Sequence, residues 1–194
     1  KKSEKKTKSI EESLWDAANK LRGGVEPSEY KHIVLALIFL KYVGEKFHER
    51  YLELLKEDKK DFLDKVEFYT MKNVFYLGEE SRWEYILKNS KQKDLAIKID
   101  TALNSIEKNN ISLKGALPDN YFSRIGLDNS KLSALVDDIN NLNTKENKTE
   151  DLFGRVYEYF LKRFAIKEGK NKGEYYTPKC IVNFIAELIQ PFKG

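Results

Sequence analysis

Near the end of the chain, Gly173-Glu174-Tyr175-Tyr176-Thr177-Pro178 leads into an apolar run that stops at Pro191. Thr177 is a good helix N-cap, because its hydroxyl can accept a backbone N–H of the first turn. Pro178 then takes the first helical position, where its fixed φ suits the helix and its missing N–H costs nothing. Ile181, Val182, Ile185, Leu188 and Ile189 follow at helical spacing and give one buried face. Such a helix start points unbonded N–H groups outward with a partial positive charge, which suits a carboxylate or a phosphate. Tyr175 and Tyr176 stand directly before it, and an aromatic face there can stack on a base or attract a cationic group. On local chemistry alone the plainer reading prevails, an ordinary helix start with the tyrosines as an apolar lid, since short motifs match by chance.

The remaining reactive residues offer less. Cys180 falls in the first helical turn, where a thiol pKa can be lowered, but neither histidine lies near it in sequence to act as a base. His32 and His48 share one predicted helix, yet 16 residues separate them by ~24 Å, so they cannot share a metal. Gly23-Gly24 is too short to cradle a phosphate. The carboxylates show no spacing that singles out an acid–base pair. No catalytic residue and no metal ligand is assigned.

Elements must position that terminal segment, and composition says of what kind. The 194 residues are 41% hydrophobic and 34% charged, enough for a core and a wet helical surface. Apolar runs fall short of the ~18 residues of a membrane span, and no apolar signal region follows the basic start. One cysteine excludes an internal disulfide and fits a reducing cytoplasm. The net charge of +4 lies wholly in residues 1–8, five lysines against Glu4, and the rest cancels. DNA binding cannot be argued from net charge.

Residues 1–8 read as a disordered basic tail. Ser9-Ile10-Glu11-Glu12 is a capping-box pattern opening a helix whose inner face is Ile10, Leu14, Ala18 and Leu21, with Trp15 beside it and Gly23-Gly24 at its end. Pro27 opens the strongest helix, to about Lys56, with a stripe of Ile33, Leu37, Leu40, Gly44, Phe47, Tyr51 and Leu54. Residues 33–40 are apolar on nearly every side, which implies burial by several neighbours, and Gly44 is expected to admit a close helix contact. Residues 57–65 are a charged connector. Val66–Gly78 is either extended or irregular. Glu79-Glu80-Ser81 precedes Arg82-Trp83-Glu84, which starts a short helix to about Asn89, and then comes a helix marked by Leu95, Ile99, Ala102, Leu103 and Ile106. Leu113–Gly126 reads as a folded loop. Leu132, Leu135, Val136 and Ile139 mark another helix, and Asn140–Lys148 a polar linker. Thr149 caps a last helix whose stripe, Phe153, Val156, Tyr157, Phe160 and Phe164, is taken as core, and Lys167–Lys172 as a hinge.

The order of Asp151-Leu-Phe-Gly-Arg-Val-Tyr-Glu-Tyr-Phe-Leu-Lys-Arg-Phe-Ala165, a basic linker and Gly-Glu-Tyr-Tyr-Thr-Pro resembles the modification (M) subunits of type I restriction–modification systems, which are DNA adenine-N6 methyltransferases. Leu14-Trp15, Leu21-Arg22-Gly23, the helix Tyr30–Arg50, Arg82-Trp83 and Leu113–Pro118 are similar to the same family, so the resemblance runs from about Ser9 to Pro191. It implies that Glu174, Tyr175, Tyr176, Thr177 and Pro178 form part of an S-adenosylmethionine site. Which tyrosine faces the cofactor stays open. Two family signatures are missing, a glycine-rich turn of the Asp-Pro-Ala-Cys-Gly-Ser-Gly type and an Asn-Pro-Pro-Phe segment beside a flipped adenine. Both follow Gly194 in the family's order, so the resemblance implies an amino-terminal part of a longer enzyme, itself inactive. The expected fold is mainly α. A multi-helix bundle at 9–165 precedes a hinge at 166–172 and the first helix of a truncated Rossmann-like α/β methyltransferase domain at 173–194. By resemblance the bundle helps enclose double-stranded DNA, and the subunit works with a specificity subunit, a second modification subunit and a restriction subunit, without a membrane. The rival reading is a stand-alone helical module that binds protein or DNA without enzymatic activity.

Overall fold

The structure, a computed structural model, describes residues 8–21, 25 and 29–142, and beyond them Arg155, Glu158, Tyr159, Lys162 and Arg163. Among the described residues there are α-helices and short 3-10 turns and no strand. The α-helices are α1 (Ile10–Asn19), α2 (Tyr30–Lys56), α3 (Glu67–Thr70), α4 (Trp83–Lys88), α5 (Leu95–Asn109), α6 (Tyr121–Arg124) and α7 (Asn129–Asn140). The mainly helical bundle expected from the sequence is present. The expected Rossmann-like start, the stripe Phe153–Phe164 and the hinge lie outside the described residues.

The architecture is a central rod with a jacket. Helix α2, 27 residues and so about 40 Å long, is buried without interruption from Ile33 to Val43. Burial on all sides needs neighbours all round, and α1, α4 and α7 supply them, with α5 packing beyond against α4, α6 and α7. The continuous core joins Leu14 and Ala18 of α1, Leu37 and Phe39 of α2, Ile86 of α4, Ile99 and Leu103 of α5, Phe122 of α6, and Leu132 and Val136 of α7.

Local chemistry explains the ends. Ser9 closes the capping box on α1: its hydroxyl accepts the Glu12 N–H at 3.2 Å, and the Glu12 carboxylate accepts the Ser9 N–H at 3.1 Å. Asp128 caps α7 by accepting the N–H groups of Ser130 and Lys131, and the Ser130 hydroxyl, followed by these N–H groups, holds its carboxyl below the usual carboxylate range. Helix α2 is described from Tyr30 rather than from Pro27, whose position lies outside the described residues, and Glu29 precedes it with helical backbone angles. Tyr121 of α6 donates its hydroxyl to the Glu29 carboxylate, which ties this end of α2 to α6.

Two stretches differ from expectation. Val66–Gly78, open between extended and irregular, begins with a turn of helix, α3, and continues through turns into a stretch without regular secondary structure. That stretch has no neighbouring strand. The Asn110 side-chain amide replaces one, accepting the Tyr76 N–H at 2.9 Å and donating to the Tyr76 carbonyl at 3.0 Å. The expected loop at Leu113–Gly126 contains α6, and the charged connector holds a 3-10 turn at Lys60–Phe62. Gly44 meets its prediction. A Cβ there would stand 2.9 Å from the Trp83 Cβ and 3.2 Å from the Trp83 backbone N, so only glycine lets α4 this close to α2.

Candidate functional site

Glu174, Tyr175, Tyr176, Thr177, Pro178 and Cys180 lie outside the described residues, so the structure does not show whether they converge. It does show what holds the chain on its way to them. Two devices matter: the anchor where the chain leaves the bundle after α7, and a seam where Arg155, Tyr159 and Arg163 meet α1.

The anchor starts with Lys41, a charged residue inside the buried run of α2. The last carbonyls of any α-helix lack intrahelical donors. The Lys41 ammonium reaches three carbonyls at and just beyond the end of α7, those of Ile139 at 3.1 Å, Asn140 at 3.0 Å and Leu142 at 2.8 Å. A cation there also complements the negative end of the helix dipole. Burial pulls the Lys41 pKa below its ordinary value, and the Glu45 carboxylate 3.8 Å away opposes that. The Trp83 indole N–H, admitted by Gly44, donates to the Asn140 side-chain oxygen at 2.9 Å. The end of α7 and the residues to Leu142 are therefore held in place against α2 and α4. Sequence reasoning missed Lys41, whose one signal was a lysine inside an apolar run.

At the seam, Arg155 places its Nε 2.7 Å and its Nη2 2.6 Å from one Glu11 carboxylate oxygen. Desolvation pushes the Glu11 carboxyl up, but its own N–H, Arg155 and Ser9 outweigh it and the net shift is downward. Four residues further along in each case, Trp15 and Tyr159 meet edge to face with ring centroids 6.5 Å apart. Arg163 donates to the Tyr159 hydroxyl from Nε at 3.0 Å and Nη2 at 2.7 Å. Beside them Lys8, Glu12, Trp15, Asp16, Tyr159 and Arg163 line a groove of about 280 Å³. It is open, and its two cations and two carboxylates balance. Small-molecule sites are larger, mostly apolar clefts.

A third cluster lies between α2 and α4. The Arg82 guanidinium sits 4.9 Å from the Phe47 ring centroid and 5.7 Å from that of Tyr51, cation–π contacts that fasten the start of α4 to α2. Tyr69 stacks on Phe47 at 4.7 Å and donates its hydroxyl to the Leu63 carbonyl at 2.7 Å. Burial, seconded by neighbouring Tyr76, pushes its phenol up to about 12. A neutral, bonded phenol under a caged guanidinium is a structural staple. Among the described residues no His, Cys, Asp and Glu group of three or more is placed to hold a metal, and no helix is long and apolar enough to cross a membrane.

Comparison with known proteins adds what the geometry leaves open. Residues 10–139 match the family model of the HsdM N-terminal domain, and residues 148–194 match that of the N-6 DNA methylase. The chain is 36% identical to the type I restriction enzyme MjaIX methylase subunit of Methanocaldococcus jannaschii, an alignment covering 94% of this chain and 36% of that one. It is 36% identical to the HindI methylase subunit of Haemophilus influenzae over 63% of this chain and 28% of the relative. To the EcoKI methylase subunit of Escherichia coli it is 25% identical over 92% of this chain and 30% of that protein. The chain thus spans about a third of the length of these curated relatives.

Proposed function

Since the chain belongs to the HsdM N-terminal domain family of type I restriction enzyme methylase subunits, we propose that it is the amino-terminal region of an S-adenosylmethionine-dependent DNA adenine-N6 methyltransferase subunit. The observation that carries this reading is the order of the two family matches, an N-terminal domain at 10–139 followed at once by the start of a methylase domain at 148–194. We place the helical domain at 9–165, the hinge at 166–172 and the start of a Rossmann-like methyltransferase domain at 173–194, with the methylase match already beginning at 148. The helical domain helps enclose double-stranded DNA. It also contacts partner subunits: a specificity subunit, a second modification subunit and a restriction subunit. Such an assembly works in the cytoplasm.

Within this reading Glu174–Pro178 contributes to the cofactor site. The helix N-terminus capped by Thr177 receives the cofactor's carboxylate, and one of Tyr175 and Tyr176 covers the bound molecule. S-adenosylmethionine supplies the methyl group when bound. Transfer from it is mainly a matter of alignment, so the protein's task is to hold and orient.

The test is calorimetric titration of S-adenosylmethionine into the full-length subunit and its Tyr175→Ala and Tyr176→Ala variants. At least one variant should bind about tenfold more weakly, some 1.4 kcal/mol of lost contact, with melting temperature and DNA affinity little changed. Parent-like binding by both variants sinks the cofactor role of this stretch and leaves a helix start. The 194 residues lack the glycine-rich turn and the Asn-Pro-Pro-Phe segment. Alone they should transfer no labelled methyl group to DNA, and incorporation above background would refute that.

A further inference from the structure

We infer that α1 is the seat on which Arg155 and Tyr159, at the start of the stretch matched by the methylase model, dock, with Glu11–Arg155 and Trp15–Tyr159 as a latch that fixes its direction. The argument begins with spacing. Glu11 and Trp15 lie four apart on α1, as do Arg155 and Tyr159 on the later stretch, with Arg163 four residues beyond. Residues four apart share one face of a helix. The contacts advance in step, Glu11 with Arg155 and Trp15 with Tyr159, so two faces meet in register and not at one chance point.

Burial makes α1 a two-sided element. Leu14, Ala17 and Ala18 lie in the core of the bundle with relative exposures of 1, 4 and 1%. That side is glued by apolar contact. Toward Arg155 it presents Glu11, whose side chain keeps 12% of its exposure against 40% for Arg155. A charge pair held this way is strong enough to set a direction, because breaking it leaves a nearly buried carboxylate without its cation. The surrounding groove is polar, open and balanced in charge, and Trp15 and Tyr159 beside it pack against the core. The residues so held fall in the stretch matched by the methylase model and precede the hinge at 166–172. Glu11 and Arg155 are therefore positioning residues for whatever follows. That consequence for the cofactor segment rests on the proposed function, whereas the latch itself stands on the contacts alone.

Hydrogen exchange read by mass spectrometry on the whole chain tests the latch without cofactor or DNA, so its failure is separable from failure of the methyltransferase reading. In Glu11→Gln, and independently in Arg155→Gln, amides of peptides spanning 155–163 should exchange about five- to tenfold faster, while peptides from α2 and α5 keep their protection. Reversing the pair, Glu11→Arg with Arg155→Glu, should restore at least half of the lost protection. A role in folding alone would not give that local rescue. Unchanged exchange at 155–163 in both single variants overturns the latch, as does protection lost equally across α2 and α5 in both.

Discussion

A phenol such as Tyr69 shows how much a single buried polar atom decides. Its hydroxyl donates to Leu63 in a stack of rings, and burial, then Tyr76, raises its pKa to about 12 against the Arg82 cation, which lowers it. Tyr51 and Asp64 add smaller upward pushes. The folded state thus keeps this proton more tightly than the unfolded chain, whose tyrosines ionise near 10. A raised pKa gives stability that is complete below the unfolded value and lost as pH climbs through the folded one. The window for Tyr69 accordingly runs from pH 10 to about 12. Tyr69→Phe should cost about 1 kcal/mol at neutral pH, for one hydrogen bond and an unpaired carbonyl. It should also flatten the fall of stability across that window. Denaturant unfolding at several alkaline pH values checks both parts, and an unaltered alkaline slope would assign the loss to other groups.

At the scale of the element, α6 exists because a distant residue caps it. Asp100 on α5 keeps 2% of its exposure and accepts the N–H groups of Phe122 at 2.9 Å and Ser123 at 2.8 Å. These are first-turn donors that a helix of four residues cannot satisfy alone. Asp100→Ala should cost about 2–4 kcal/mol, since two donors lose a charged acceptor, one of them buried. Chemical denaturation should show that drop, while Asp100→Asn, which keeps one acceptor, falls between; equal stability of Ala and parent would mean that α6 holds by packing alone. The same physics explains what was legible. Helices α1, α2, α5 and α7 carry apolar stripes in their own sequence, α1 and α7 with side-chain caps besides, and all four were readable. Helices α3 and α6 carry too few residues for a period, and their determinants, Tyr69 docking and Asp100, lie elsewhere in the chain or face inward. Gly44 announced a close approach, but nothing local named Trp83 as the neighbour. Of the candidate site, Glu174–Pro178 was legible as a motif, whereas the Glu11–Arg155 contact spans 144 residues and leaves no sequence period at all.

For the molecule as a whole, charge placement constrains how a helical domain can help enclose DNA. Outside residues 1–8 the chain is neutral, and many surface lysines are already answered by carboxylates: Lys20 by Asp138, Lys46 by Glu49, Lys59 by Glu57 and Lys91 by Asp137. Exposed pairs of this kind are worth little, so a phosphate can compete for the lysine at small cost. The basic tail adds five lysines against Glu4. Deleting residues 1–7 removes four lysines and Glu4 but spares Lys8, whose ammonium already lies 2.6 Å from the Asp16 carboxylate. If those four lysines each meet a phosphate, the log–log dependence of DNA affinity on salt should become shallower by about 3 to 4 units, at roughly 0.9 per phosphate neutralised. The folded domain, acting through lysines released from surface pairs, should keep a weaker affinity that still falls with salt. Fluorescence anisotropy with a duplex oligonucleotide, on parent and deletion at several salt concentrations, separates the two contributions. Binding that vanishes with the tail would leave the helical domain as a partner-binding scaffold with no hold on DNA of its own. An unchanged salt slope would place every phosphate contact on the fold.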